Sequence, residues 1–100
     1  MQIDKVASVM GLAMKAGKVV SGEFQTEKAV KSKKAYLVVL AGDASDNTKK
    51  KFKDMCSYYH TPYCIWGDRE LLGQAIGREF RASLAVTDKN LAEVVKRTLI

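Results

Sequence analysis

One hundred residues with 47% apolar and 28% charged side chains describe an ordinary globular chain, large enough to form one core without disulfide or metal staples. Lys and Arg number 17 against 11 Asp and Glu, a formal charge of +6, and that excess favours a polyanionic partner. No apolar run approaches the roughly 20 residues that span a bilayer, and residues 1–5 lack the form of a signal peptide; a cytoplasmic, single-domain protein over residues 1–100 is expected, with no membrane association.

Ile3, Val6, Ala7, Met10, Ala13 and Met14 recur at i, i+3, i+4 and i+7, the stripe of an amphipathic helix over residues 3–16, and Gly17 suits the position just past its end. Val19-Val20 forms a short strand, placed at a sheet edge with an antiparallel partner. Ser21-Gly22 then leads into a second helix over residues 22–32. Glycine there lets a ligand come close to the backbone, and a helix start offers unpaired N–H groups to an anion. On a wheel of about 100° per residue, Thr26, Ala29 and Val30 fall together as the core face. Phe24 falls on the other side with Lys28 and Lys31, and Gln25 stands beside them. An aromatic facing outward between lysines suits a nucleic-acid surface; a first-turn aromatic folded back as a hydrophobic staple explains it equally well.

Residues 35–41 form a nearly continuous apolar run and read as a central strand covered on both faces. Ser45 or Asp46 can cap a third helix with Phe52, Met55, Cys56 and Tyr59 on its apolar side, and Thr61 before Pro62 ends it. His60 is expected at that end, facing solvent or capping. Tyr63 to Trp66 is the next strand. Asp68 caps a short helix carrying Leu71, Leu72, Ala75 and Ile76, closed by Gly77. Residues 78–82 connect to a last strand, Ser83 to Thr87, and Asp88 caps a final helix whose apolar side is Leu91, Val94, Val95, Thr98 and Leu99. Helices and strands alternate throughout, which argues for an α/β fold with helices on both faces of a small sheet.

The chemistry-bearing patterns are few. Cys56, His60 and Cys64 offer three soft ligands, but a structural zinc site wants four in closely spaced pairs, so reduced core thiols are expected and no metal. Ala16-Gly17-Lys18 is not a phosphate-binding loop, since Leu12 stands where the first glycine belongs and Val19 where Ser or Thr belongs. Gly73 and Gly77 read as close packing plus a helix end. Asp43, Asp46, Asp54 and Asp68 read as turn and cap residues. Lys49, Lys50, Lys51 and Lys53 crowd the start of the third helix, where they oppose its dipole, and read as a solvated face. No nucleophile–base pair and no cofactor motif stands out. Arg78-Glu79-Phe80-Arg81 is more pointed. Arginine binds phosphate or stacks on a base and Phe80 can pack under either, although Phe80 could equally begin the strand and point into the core.

Three stretches together, residues 17–23, 34–41 and 72–79, resemble the kink-turn RNA-binding ribosomal protein family of the large-subunit "seven-Ae" type, in the family's order and spacing. The similarity is greatest to its bacterial YlxQ-like branch, through residues 19–23, Asp43-Ala44-Ser45, Asn47-Thr48 and the region of Tyr59. The resemblance spans essentially the whole chain. It implies a three-layer α-β-α sandwich around a four-stranded mixed sheet, with RNA contacts from the start of the second helix and the loop before the last strand.

In the family pattern a glycine opens the contact helix, followed by a small residue, Asn and Glu, with Lys three residues after the Glu. Here those positions are Gly22, Glu23, Phe24, Gln25 and Lys28. Gly22 and Lys28 match, Gln25 is a neutral relative of the Glu, and Phe24 replaces the Asn that reads guanine edges in a kink-turn. The family's apolar-Glu-Val-Ala loop becomes Arg78-Glu79-Phe80-Arg81-Ala82. The resemblance therefore implies a non-catalytic, monomeric RNA-binding protein without cofactor, associated with the ribosome or another structured RNA. Ribosomal proteins are candidate partners and kink-turn-like RNA a candidate target. The implied roles are close backbone approach at Gly22, stacking by Phe24 and Phe80, and hydrogen bonds from Gln25 and Glu79. Lys18, Lys28, Lys31, Arg78 and Arg81 take phosphate, and Glu23 lies among them. The alternative is a protein-interaction module that keeps the fold and uses Phe24 and Phe80 as an apolar patch. An RNA-modifying enzyme would need a cofactor motif and a second domain.

Overall fold

The computed structural model describes residues 2–99, with side chains described from Lys5 onward; Ile3 of the first apolar stripe lies outside the described side chains. In chain order the elements are α1 (Gln2–Lys15), β1 (Val19–Ser21), α2 (Glu23–Lys31), β2 (Leu37–Leu40), α3 (Asp46–Tyr59), β3 (Tyr63–Ile65), α4 (Arg69–Ala75), β4 (Ser83–Val86) and α5 (Lys89–Leu99). The four strands form one mixed sheet in the order β1-β4-β2-β3. β4 is antiparallel to both β1 and β2, while β2 and β3 run parallel. The short first strand is indeed an antiparallel edge.

The alternation of side chains along β2 and β4 builds the layers. Leu37, Val39, Leu84 and Val86 point to one face, where Val6, Met10 and Ala13 of α1, Leu72 of α4, and Ala92 and Val95 of α5 cover them. Val38, Leu40 and Ala85 point to the other, against Ala29 and Val30 of α2 and Phe52 and Cys56 of α3. The result is a three-layer α-β-α sandwich, and β2, covered on both faces, is buried at every position. Phe52 is fully buried beneath α2; burying a ring of that size contributes about 1.5–3 kcal/mol and locks α3 to the sheet.

The caps are those expected from the sequence. Ser45 Oγ accepts the Thr48 N–H at 3.1 Å, Asp68 Oδ1 accepts that of Leu71 at 2.8 Å, and Asp88 Oδ2 accepts that of Leu91 at 2.9 Å. His60 ends α3 in the left-handed conformation, exposed. Two expectations need correction. Val94 is 40% exposed, because the buried side of α5 is centred on Ala92, Val95 and Leu99 and Val94 sits well round the helix from that line. Tyr36 precedes β2 and is exposed, so the covered strand begins two residues later than the apolar run does.

Candidate nucleic-acid interface

β1 and β4 deliver two distant segments to the same end of the sheet. Ser21 pairs with Leu84 in the β1–β4 ladder, and the next residue, Gly22, donates its N–H to the Ser83 carbonyl at 3.0 Å. Arg81 Nε donates to Ser21 Oγ at 3.1 Å, and beneath them Ser83 Oγ donates to Thr26 Oγ1 at 3.2 Å, both hydroxyl residues being buried. Gly22 is the N-cap of α2 with φ 88° and ψ 161°, and the space a Cβ would take is open. Only glycine holds that conformation without strain, and no side chain caps the helix there. The first-turn N–H groups of α2 therefore face outward beside an unobstructed backbone.

The loop between α4 and β4 is clamped onto its own helix. Arg78 N–H donates to the Gly73 carbonyl at 2.8 Å, and a Cβ on Gly73 would lie 1.5 Å from the Glu79 carbonyl oxygen. Arg81 N–H donates to the Arg69 carbonyl at 3.0 Å. Arg69 is itself held by Asp43, whose Oδ1 accepts its N–H at 2.8 Å and whose Oδ2 accepts Nε at 3.3 Å. The loop thus has a fixed course, and its outer residues Arg78, Glu79 and Phe80 are exposed.

Both aromatic rings point to solvent: Phe24 is 73% exposed and Phe80 66%. Neither the staple reading of Phe24 nor the core reading of Phe80 describes the molecule. Phe24 lines a shallow groove of about 390 Å³ with Glu27, Lys28, Lys31 and Ser32, and a hollow of about 240 Å³ on the other side of Lys28 takes in Gln25, Lys34 and Thr87.

The charged residues divide into free and engaged. Lys28 and Arg78 are exposed, and among the described residues neither is in an ion pair. Lys31 pairs with Glu27 at 2.7 Å. Lys51 of α3, read from the sequence as part of a solvated face, reaches across to Glu27 at 2.6 Å and to Glu23 at 3.7 Å, tying α3 to the first turns of α2. Arg81 is half-buried and also donates Nη1 to the Phe80 carbonyl at 2.9 Å, so it is a clasp of the ledge and not the free phosphate-binding cation the sequence suggested. Lys18 lies apart from Gly22, about 13 Å away along four residues of extended chain; its carbonyl accepts the N–H of Thr87 at 2.8 Å, a residue of the hollow that Gln25 and Lys28 share.

Hydrogen bonds from Lys31 and then Lys51 hold the Glu27 carboxyl at about 2, below its ordinary 4.5. The folded value is the lower one, so the contribution of these bridges is complete above 4.5 and disappears as pH falls through about 2. A carbon-detected NMR titration should give Glu27 a midpoint near 2, returning towards 4.5 in a Lys31→Ala, Lys51→Ala double variant. A native midpoint at the ordinary value would show that the bridges do not form in solution.

The ties that build this end are not legible in the sequence. Thr26 is expected on the core face and Ser21 before the helix, but their hydroxyl bonds to Ser83 and Arg81, and the anchoring of the loop by Arg69, are not. Such roles depend on which strands become neighbours, which no local pattern encodes. Gly73 did carry a signal, a glycine inside a helix, which pointed to close packing without naming the backbone that packs there. Elsewhere, Cys56 and Cys64 are free thiols that burial pushes up to about 11, so both are protonated at neutral pH. Among the described residues no three His, Cys, Asp or Glu side chains group as metal ligands, and no helix is long and apolar enough to cross a membrane.

Comparison with known proteins gives this end a context. The chain is 48% identical over 84 residues to the RNA-binding protein YlxQ of Bacillus subtilis, covering 84% of each chain. It is 33% identical over 89 residues to the large ribosomal subunit protein eL30 of Trypanosoma brucei brucei, covering 87% of this chain and 85% of the relative. A solved structure of a protein of unknown function from Bacillus halodurans superposes with a TM-score of 0.92 at 37% identity, over 95% of this chain and 96% of that one. The 15.5 kD RNA binding protein of Giardia lamblia shares the fold, with a TM-score of 0.81 at 20% identity over 99% of this chain and 86% of its own. Residues 4–96 match the ribosomal protein L7Ae/L30e/S12e/Gadd45 family, and the chain belongs to it.

Proposed function

We propose that this protein is a non-catalytic, cytoplasmic RNA-binding protein that acts as a monomeric single domain on structured RNA. The observation that carries the reading is the pair of solvent-facing rings, Phe24 and Phe80, at one end of the sheet, on segments joined by the Ser21–Arg81 and Gly22–Ser83 hydrogen bonds. Two exposed rings on a hydrogen-bonded frame offer stacking surfaces to unstacked bases. Lys28 and Arg78 flank them with charge free for phosphate, Gly22 admits the RNA backbone, and Gln25 and Glu79 offer polar groups to base edges or ribose. Relatives that are RNA-binding or ribosomal proteins support the same reading. The finer target is structured RNA, ribosomal or otherwise, with kink-turn-like RNA among the forms bound; binding is through stacking and phosphate contact without G·A readout, because Phe24 occupies the position of the family's guanine-reading Asn.

Replacing Lys28 or Arg78 with Ala should leave the melting temperature unchanged, since both are exposed. Each should flatten the dependence of log Kd on log salt by roughly 0.7–0.9 for every phosphate that is no longer neutralised. Unchanged slopes in both variants would remove these two cations from the reading. The exposed rings also suit a protein partner. Filter binding to a kink-turn, a simple hairpin and mixed cellular RNA separates the two: affinities of micromolar or weaker for all three would favour the protein-interaction module.

A further inference from the structure

The opposite end of the sheet carries a second cationic surface that the ledge does not use. A cleft of about 290 Å³ opens there between the start of α5 and the turns that precede β2 and β3. Its walls include Lys33, Tyr36, His60, Lys89 and Lys96, with Glu93 the acidic side chain among them. Lys96 pairs with Glu93 at 3.3 Å. Lys33 and Lys89 are exposed, and among the described residues neither has a carboxylate within ion-pair distance. Gly22 and the α4–β4 loop lie at the far end of β2 from the cleft, while the grooves along α2 run from Phe24 down to Ser32 and Lys34, on either side of Lys33.

The backbone conformation at these positions does not call for these residues, although the charge of Lys33 suits the C-terminal end of α2. Lys33 at φ 59° and His60 at φ 58° are the non-glycine residues with left-handed backbone among those described, and both line the cleft. They stand at the ends of α2 and α3, where glycine holds this conformation without a Cβ penalty. Lys89 opens α5, and a cation in the first turn opposes the helix dipole. At three positions, then, a residue less favourable to the local backbone places a side chain on one surface. Tyr36, 43% exposed, adds a ring to it.

We propose that this cleft binds the phosphate backbone of a second RNA segment, so that one molecule holds two segments at opposite ends of its sheet. Unpaired ammonium groups around an open cleft match a chain of phosphates, and the Tyr36 ring can meet a ribose or an unstacked base. The choice of RNA over an acidic protein rests on the function proposed above; the cationic surface itself does not.

The test is an NMR titration with a kink-turn RNA carrying a duplex arm as the probe, which offers both unstacked bases and a run of phosphates. In the wild-type protein two sets of amides should shift, one at Phe24, Gln25 and Phe80 and one at Tyr36, His60 and Lys89. The second set should persist in a Phe24→Ala, Phe80→Ala, Arg78→Ala variant and vanish in a Lys33→Glu, Lys89→Glu variant with an unchanged melting temperature. In the ledge-disabled background, the charge reversals should weaken residual binding at least about tenfold at low salt and lower the salt slope by about two. Shifts at the ledge without shifts at the cleft overturn this proposal and leave the first intact. Shifts at the cleft alone do the reverse. Equal cleft shifts with polyglutamate at the same charge concentration would replace RNA by an acidic protein as the occupant.

Discussion

Gly73→Ala should destabilise the protein by about 1–3 kcal/mol or more and weaken RNA binding with it. In an exposed helix the same change stabilises by about 1 kcal/mol, because alanine is the better helix former. Here the added Cβ would fall 1.5 Å from the Glu79 carbonyl oxygen and 2.6 Å from its carbon, with the Arg78 carbonyl at 3.1 Å. None of these atoms belongs to a flexible side chain that could swing aside, so the helix or the loop must move. Moving the loop breaks the Arg78–Gly73 and Arg81–Arg69 backbone hydrogen bonds and draws Arg81 away from Ser21. Phe80, next to Arg81 in the chain, then moves with the loop. Urea denaturation and RNA titration of the same variant measure the two effects together. Gly77→Ala is the control: its φ of 71° strains any Cβ, yet nothing lies within 4 Å of that atom, so stability should fall by about 1 kcal/mol with little change in RNA affinity. A Gly73→Ala protein with wild-type stability and affinity would mean that the loop does not lie against α4 in solution.

What could be read from the chain beforehand followed the range of the forces involved. Thr26, Ala29 and Val30 are buried as the helical period required, and Ser45, Asp68 and Asp88 cap their helices because capping is settled within four residues. The run around Leu37–Leu40 announced a doubly covered strand because it is short, rich in branched residues and apolar without alternation. Phe24 and Phe80 could not be assigned in the same way. Each stands at an element boundary, where a rotation of one bond separates core from solvent, and the deciding contacts come from a strand about 60 residues away in sequence. The distance of Lys18 from Gly22 has a related reason: they are near in sequence, but extended chain carries neighbours apart faster than a helix does, and β1 leaves them at its two ends. Lys51 is exposed, as a solvated face requires, but its bridges were not legible because its partners, Glu23 and Glu27, lie on another helix.

Phe24→Ala and Phe80→Ala should each raise the Kd for structured RNA about 5- to 150-fold, the roughly 1–3 kcal/mol expected when one base is deprived of its stacking partner. Neither should lower the melting temperature, since the rings are 73% and 66% exposed and contribute little to the core. This combination distinguishes a binding residue from a structural one: a buried phenylalanine truncated to alanine costs about 3–5 kcal/mol of stability. Phe24→Asn carries the argument from affinity to specificity. Asparagine at this position presents a donor and an acceptor to a base edge, and a well-placed pair of such bonds is worth about 1–3 kcal/mol of discrimination. If the wild-type ring works by stacking, the protein should bind a kink-turn and the same RNA with its tandem G·A pairs disrupted at similar affinity. Phe24→Asn should then lower affinity for the disrupted RNA and restore a preference for the intact kink-turn. Affinities for both RNAs within about twofold of wild type in all three variants would show that these rings do not touch RNA, leaving the exposed ledge to a protein partner.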